Sequence, residues 1–464
     1  MLIVYGEILG EHSRNVMSVL EKFGRLLHHD DHARANKMKT YVSIGGTETV
    51  IDREVQKRLL ETALGAIGDR KKILIIPPDF TRYHSGAGEI TEDFYHLLKD
   101  RAEVHVLPAL GTHSPMTGRQ IDTMFGSLPE DVIKIHDWRG GLVKLGEVPG
   151  DFVKQVSGSL VDYSINVEID HLLVQGGYDL ILSVGQVVPH EVIGMANQNK
   201  NIFVGAGGRD TINKTHFLGA VVGMERLMGR SRSPVRDVLN YVEEHFAREL
   251  PIVYVLTVRA NDENGNLVTR GLFVGEGDAA FKEAALLSQQ TNLDLLDKPF
   301  PKVVVYLDPD EFKSTWLGNK AVYRTRMAIA DAGELIVLAP GVREFGEDGE
   351  IDQLIRKYGY AGTPKTLEAV KENEDLATNL SAAAHLIHGS SEGRFTITYA
   401  PGHLSREEIE GVNFQYGDLD ELMAKYDPTK LKDGYNQLDD SEEIFYISNP
   451  ALGLWALKEQ FAYG

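Results

Sequence analysis

Residues 178–200 read YDLILSVGQVVPHEVIGMANQNK. An apolar, β-branched run ends on Pro189-His190, and a lysine, Lys200, follows ten residues after the histidine. A short run that is almost continuously apolar reads as a strand buried on both faces, the kind found in parallel sheets under helices. In such sheets the working residues sit just beyond the carboxyl ends of the strands. His190 sits at such a place.

The pattern recurs along the chain. KKILIIPPDF (71–80), AEVHVLPALG (102–111), DVIKIHDW (131–138), PKVVVYLDP (301–309), GELIVLAPG (333–341) and RFTITYAPG (394–402) all read as buried strands. Between them, EDFYHLLKDR and TLEAVKENEDLATNLSAAAHLIHG place apolar residues at helical spacing. The alternation predicts an α/β fold of largely parallel sheets covered by helices. SQQTNLDLLDKPFP is polar, breaks helices and marks a boundary between 285 and 300. A first domain over 38–292 and a second over 293–435 follow. PALGLWALKEQF, within 443–464, reads as a final helix that completes the first domain.

The chain has 464 residues, of which 42% are hydrophobic and 25% charged, a soluble globular composition. Its 48 Lys and Arg stand against 68 Asp and Glu, a formal net charge of −20. That balance argues against nucleic-acid or anionic-membrane partners, which need a basic footprint. A few buried cations could still hold a small anionic substrate. With no cysteine, disulfides, thiolate nucleophiles and cysteine-based metal sites are excluded. No apolar run approaches a membrane span, and MLIVYGEILGE lacks a basic n-region, so a cytoplasmic location is expected.

Residues 1–37 read as an N-terminal extension. Val16, Leu20, Phe23 and Leu27 make one amphipathic helix. His28, His29, Asp30, Asp31 and His32 follow, and a solvated segment is favoured there over a metal site.

Four stretches could carry chemistry. PPDFTRYHSGAGEIT offers Asp79, Thr81 and Arg82 at a strand end, followed by Ser-Gly-x-Gly, as donors to a phosphate or carboxylate. The bland alternative is a capped loop with Arg82 at the surface. LPALGTHSP brings His113 to another strand end, and KIHDW places His136 beside Asp137; a structural hydrogen-bonding role is the simpler reading of both. Beyond His190 and Lys200, NIFVGAGGRDTINKTH is Gly-rich without completing a phosphate or dinucleotide motif, and it ends on His216. EFKSTWLGNKAVYRTRMAIADAG carries Lys320, Arg324 and Arg326, either a solvated helix face or a cation aimed at an anion.

Taken together, these stretches resemble the nickel-pincer-dependent lactate racemase family. The shared pattern is Asp-x-Thr-Arg (Asp79 to Arg82), Gly-Thr-His (Gly111 to His113), and Pro-His with a glycine four residues on (His190, Gly194). It continues with a lysine (Lys200), a Pro-Gly pair that here is Val204-Gly205, and a histidine sixteen beyond the lysine (His216). A second-domain lysine, Lys320, is followed by Ala332-Gly333. The match runs from Lys71 to Gly341, with a weaker echo to Ala400. Five elements in order are a specific signal, where one alone would not be.

The resemblance implies a racemase or epimerase that inverts C2 of a 2-hydroxy acid, with its site in the cleft between two domains. The cofactor would be a nickel-pincer nucleotide, a pyridinium mononucleotide holding nickel through sulfur, carbon and sulfur. Lys200 would tether it, His216 would be the fourth nickel ligand, and Asp79, Thr81 and Gly205 would approach the nucleotide. His113 and His190 would be the acid/bases, Arg82 would hold the substrate carboxylate and Lys320 would add a second positive contact. Enzymes that build the cofactor would be required partners. Hydride transfer through a flat keto acid needs a base for either enantiomer, and two imidazoles suit that.

The sequence departs from the family pattern in three places. The glycines before the family lysine are Asn197 and Gln198 here. Trp316 and Leu317 stand where a tyrosine and a glutamine are expected near the substrate, and a tryptophan expected near Thr378-Asn379 is missing. The expected substrate is therefore a larger or more polar acid than lactate, an aldonate first. A dehydrogenase-type reaction with the same cofactor and a non-catalytic nucleotide-binding protein are the alternatives.

Overall fold

The computed structural model describes residues 39–438, 442–451 and 453–461. The expected extension over 1–37, with His28, His29 and His32, lies outside them.

Two six-stranded sheets organise the chain. In the first, the order is Thr40–Gly45, Leu267–Gly275, Ile252–Asn261, Leu180–Gln186, Lys72–Ile76, Glu103–Val106. The last four strands are mutually parallel, and the first two add an antiparallel edge. Alternate residues enter separate cores: Leu74, Ile76 and Ile181 on one face, Ile73, Ile75 and Leu182 on the other. All six are fully buried. Each such side chain contributes about 1.5–3 kcal/mol over leaving it exposed. Burial on both faces is why these runs lack polar alternation.

The second sheet has the order Gln415–Tyr416, Thr396–Pro401, Ile329–Ala339, Phe300–Tyr306, Glu443–Ile447, Gly434–Gln437. It is parallel except for the last strand. Val303 and Val305 face one core, Val304 the other.

Several expectations need correction. DVIKIHDW forms no strand: Glu130–Val132 is a 3₁₀ turn, only Ile133 bridges to Val106, and Ile135 is exposed. The neighbouring edge strand is only four residues long and offers no further partner. The long hairpin Ile252–Asn261 with Leu267–Gly275 was not foreseen. The helix Ala279–Thr291 runs into the expected boundary, so the break begins after Thr291.

The final helix is also corrected. Glu443–Ile447 is a strand of the second sheet, and Trp455–Leu457 pairs in parallel with Asp294–Leu296. Among the described residues of this stretch, only Lys458–Phe461 is helical. Leu454 and Ala456 are buried beside Met224, Met228, Tyr323 and Met327, a period of two that suits a strand. Phe461 still reaches the first half, lying under the Arg230 guanidinium.

Candidate active site

Three neighbouring parallel strands, Glu103–Val106, Lys72–Ile76 and Leu180–Gln186, point their carboxyl ends the same way. The segments that follow them carry His113, Asp79-Thr81-Arg82 and His190 in turn. The strand order thus gathers what the sequence separates.

After Lys72–Ile76 the chain turns into the 3₁₀ segment Phe80–Ser85, capped by Asp79, whose Oδ1 accepts from the Thr81 backbone N–H and hydroxyl. The other oxygen, Oδ2, lies 2.6 Å from His113 Nδ1. An ionised carboxylate can only accept, so Nδ1 carries a proton, and in the neutral ring Nε2 keeps its lone pair. Burial alone would lower the basicity of His113; the hydrogen bond and charge of Asp79 reverse this and hold its pKa above the ordinary value. Burial works against the Asp79 charge in turn, but His113 keeps its carboxyl below the usual range. Nε2 of His113 also stands 3.6 Å from Glu347, which follows a strand of the second sheet.

His190 is held the opposite way round. Pro189–His190 pairs with Gly194–Met195 in a two-residue ladder, and the Val192 N–H donates to His190 Nδ1 at 3.1 Å. Nδ1 therefore accepts, and in the neutral ring the proton sits on Nε2. Gly194, at φ +92°, lies so close to Arg230 and Leu227 backbone carbonyls that a Cβ would meet them at 2.2 and 2.7 Å. Burial drives the His190 pKa well below its ordinary value, Glu191 opposes this, and the Lys200, Arg82 and His216 charges add to it. Glu191 lies 3.6 Å from His190 Nδ1.

Lys200 leads into the helical turn Asn201–Gly205. Asn201 ties that turn to the strand ends, donating to Ile76 O at 2.8 Å and Ser183 Oγ at 3.2 Å. The Gly111 N–H donates to Gly205 O at 2.7 Å, and a Cβ on Gly205 would come within 2.7 Å of Ala109 Cβ. Glycine is needed there for close packing of the two loops. Burial, then the Arg82 charge, lowers the Lys200 pKa to about 8, which makes a neutral amine accessible near neutrality. Asn197 and Gln198 adopt φ of +67° and +57°. The backbone thus keeps a conformation that favours glycine even though the glycines are gone.

His216 lies on the helix Arg209–Val222, and its Nδ1 sits 2.6 Å from the Ile212 carbonyl oxygen, to which it donates. Nε2 is left with a lone pair. Burial, followed by the Lys200 charge, takes the His216 pKa down to about 4. A neutral imidazole anchored through its other N–H to a carbonyl is the form in which histidine binds a metal. Among the described residues, no group of three or more His, Cys, Asp or Glu is arranged to hold a metal ion. His216 fits a metal whose remaining ligands come with a cofactor.

From the second half, Lys320 opens the helix Lys320–Tyr323, with its ammonium 5.5 Å from the Phe312 ring centre. Burial, then Arg82, lowers its pKa to about 8. Arg82 is felt at His190, Lys200 and Lys320 alike, so these groups share one electrostatic environment. Arg324 and Arg326 are buried rather than solvated, and Arg326 pairs with Glu225 at 2.7 Å. Trp316 and Leu317 are partly buried, and Trp316 lies over His385 at 4.5 Å between ring centres.

Other residues of this region escaped the sequence reading. Glu191 follows the Pro-His pair directly, and its charge is kept by His190, Arg324 and His388 against the opposing effect of burial. His385 and His388, one helical turn apart in HLIHG, are buried, with burial taking their pKa values to about 3 and about 4. His388 Nε2, Arg324 Nε and both amide atoms of Asn319 are buried with no partner among the described residues. His136 takes the structural role favoured for it, bonding to Asp170 at 2.9 Å and Gly207 O at 3.1 Å rather than to Asp137.

Comparison with known proteins now bears on this geometry. Residues 21–227 match the model of the lactate racemase N-terminal domain. No curated protein matches the chain. A Thermotoga maritima protein of known crystal structure aligns over 89% of this chain and 100% of its own, with 22% identity and TM-score 0.75. Lactate racemase apoprotein from Thermoanaerobacterium thermosaccharolyticum aligns over 89% of this chain and 94% of its own, with 16% identity and TM-score 0.65. Both share the fold across the two sheets. The family match spans every candidate site residue of the first half, from Asp79 to His216, and no helix among the described residues is long and apolar enough to cross a membrane. Over residues 21–227, this chain is thus similar to the N-terminal domain of lactate racemase.

Proposed function

We propose that the protein is a racemase or epimerase that inverts C2 of a 2-hydroxy acid with the help of a nickel-pincer nucleotide. The match of residues 21–227 to the lactate racemase N-terminal domain supports this class of reaction. The observation that carries it furthest is the opposite protonation of the two histidines. His113 presents a lone pair on Nε2, backed by Asp79, while His190 presents an Nε2 proton, backed by the Val192 N–H. One is set to accept a hydroxyl proton and the other to donate a hydrogen bond to the substrate oxygen, so the two imidazoles are prepared for different parts in an inversion.

The residues present fit the cofactor. Lys200 would carry it through its amine and His216 Nε2 would meet its nickel. The bound group would supply the acceptor for the C2 hydride. The chain's own part is to place and protonate the substrate. Arg82 would hold the carboxylate with its planar fork, and Lys320 would add a second cation. His113 would take the hydroxyl proton from one enantiomer; His190 would serve the other once its ring turns off the Val192 N–H and carries its proton on Nδ1, which leaves a lone pair on Nε2.

Trp316, Leu317 and the unpartnered polar atoms of Asn319, Arg324 and His388 support a substrate larger and more hydroxylated than lactate, an aldonate first. A site that hydrogen-bonds hydroxyl groups discriminates strongly against acids that lack them. The test uses protein made together with the cofactor-building enzymes. Substrate deuterated at C2 should invert with the label kept on C2, and an aldonate should turn over faster than lactate. Label lost from C2, with an unlabelled keto acid released, would replace the racemase reading with a dehydrogenase, and faster racemisation of lactate would overturn the substrate assignment.

A further inference from the structure

The loop before Lys200 is held by a residue that no sequence motif marks. Arg236, Asn240 and Glu243 share one face of the helix Pro234–Phe246, at spacings of four and three residues. All three face residues 195–199 or their partners. The Arg236 guanidinium, 2% exposed, donates to Met195 O at 2.7 Å, Asn197 O at 3.2 Å, Gln198 Oε1 at 2.9 Å and Asn199 Oδ1 at 2.5 Å. Its flat face covers the Phe281 ring at 4.3 Å. Asn199 in turn donates to Asn240 Oδ1 at 2.8 Å and to Glu243 Oε2 at 3.0 Å, and the Tyr254 hydroxyl donates to the other Glu243 oxygen. Ser233, the helix cap, donates to Ile193 O at 2.9 Å.

This network explains how the departure from the family glycines is accommodated. Asn197 and Gln198 stand at positive φ, a backbone disfavoured once a Cβ is present. Asn197 Oδ1 accepts from the Gln198 N–H at 2.7 Å, the local bond that lets asparagine take such a turn. Its amide occupies the space beside Gly185, where a Cβ would fall 1.7 Å from Asn197 Nδ2. Gln198 and Asn199, 1% and 0% exposed, then turn their side-chain oxygens to Arg236. Where glycines would leave the turn to backbone alone, the side chains of Gln198 and Asn199 lock it to one helix face, and the next residue is Lys200.

We propose that Arg236 is a positioning residue for Lys200, fixing the 195–199 turn so that the lysine amine meets the incoming cofactor in one place. The inference rests on the cofactor reading above, since it is the loading of Lys200 that Arg236 would govern. The charge of Arg236 also adds to burial and Arg82 in lowering the pKa of that amine.

The test compares wild type, Arg236→Lys and Gln198→Ala, each co-expressed with the cofactor-building enzymes. Arg236→Lys keeps the charge and loses the fork. Intact mass and peptide mapping give the occupancy of Lys200, and thermal melting reports the fold. Arg236→Lys should lower occupancy about tenfold, the scale for a residue that orients a ligand-bearing group. Gln198→Ala, which removes one acceptor of Arg236 and a weaker 3.3 Å donation to Gly277 O while leaving Arg236 in place, should lower it roughly fivefold, one hydrogen bond's worth. The Gln198→Ala protein should melt near the wild-type temperature, which separates positioning from folding. Wild-type occupancy in Gln198→Ala, or in a folded Arg236→Lys, overturns the proposal. A wild type with no adduct at Lys200 overturns the cofactor reading itself.

Discussion

Residues 189–216 and residues 311–390 make up two sides of the candidate site, and they treat polar groups differently. On the first side almost every polar atom has a fixed partner: Asn201 on strand-end groups, Asn199 on Glu243, His216 on Ile212 O. On the second side Asn319, Arg324 and His388 bury polar atoms that meet no partner among the described residues. Buried polar groups are almost always satisfied, so an unsatisfied group asks for a ligand or water. The first side is finished by the chain itself, as a permanent cofactor anchor would be. The second leaves polar atoms for a ligand or water to satisfy, as the proposed substrate pocket would.

The comparison is broken most severely at the anchor. Lys200→Ala should abolish cofactor attachment and with it all racemisation, while the protein still melts cooperatively; retained turnover would place the tether elsewhere. Next come the two histidines. His113→Gln and His190→Gln should each cost about 10²–10⁴ in kcat, the usual scale for a general acid/base. Turnover of the two enantiomers should fall unequally in each variant, and equal losses would count against opposite roles.

Asp79→Asn should cost about 10²-fold, because an amide cannot stabilise the imidazolium that His113 becomes. It also has a sign. Asp79 holds the His113 pKa up, so its removal lets burial lower it, and the acid limb of the pH–rate profile should move to lower pH. An unmoved limb would detach His113 from the rate. On the second side, Trp316→Tyr should shift the ratio of kcat/KM between an aldonate and lactate by about tenfold, as one changed pocket contact does.

The smallest effect is on stability. His385 and His388 are held neutral by burial, at about 3 and about 4, against 6.5 in an unfolded chain. Their contribution is therefore complete above pH 6.5 and lost as pH falls from there toward 4, where only the unfolded chain gains their protons. Chemical denaturation of the His388→Gln protein should show a shallower loss over that window than wild type.

Much of the first side could be read from sequence, because its motifs lie on consecutive strand ends and each is local. Leu180–Gln186 and Lys72–Ile76 announced themselves as continuous apolar runs, and His190 and Asp79 followed directly. The hairpin Ile252–Asn261 with Leu267–Gly275 carries similar runs but was not among the segments read as strands. DVIKIHDW failed for the opposite reason: its apolar residues had no sheet edge long enough to join. Arg236 and His388 could not have been found from local pattern. Their roles depend on which loop a helix face meets, and nothing within a few residues of either encodes that.

The most direct test of the central claim is the mass and metal content of protein made with the cofactor-building enzymes. The account predicts an added mass that maps to the peptide containing Lys200, with one nickel per chain that His216→Ala loses. An unmodified Lys200 and no nickel, in protein produced alongside a loaded control from the same family, would contradict it.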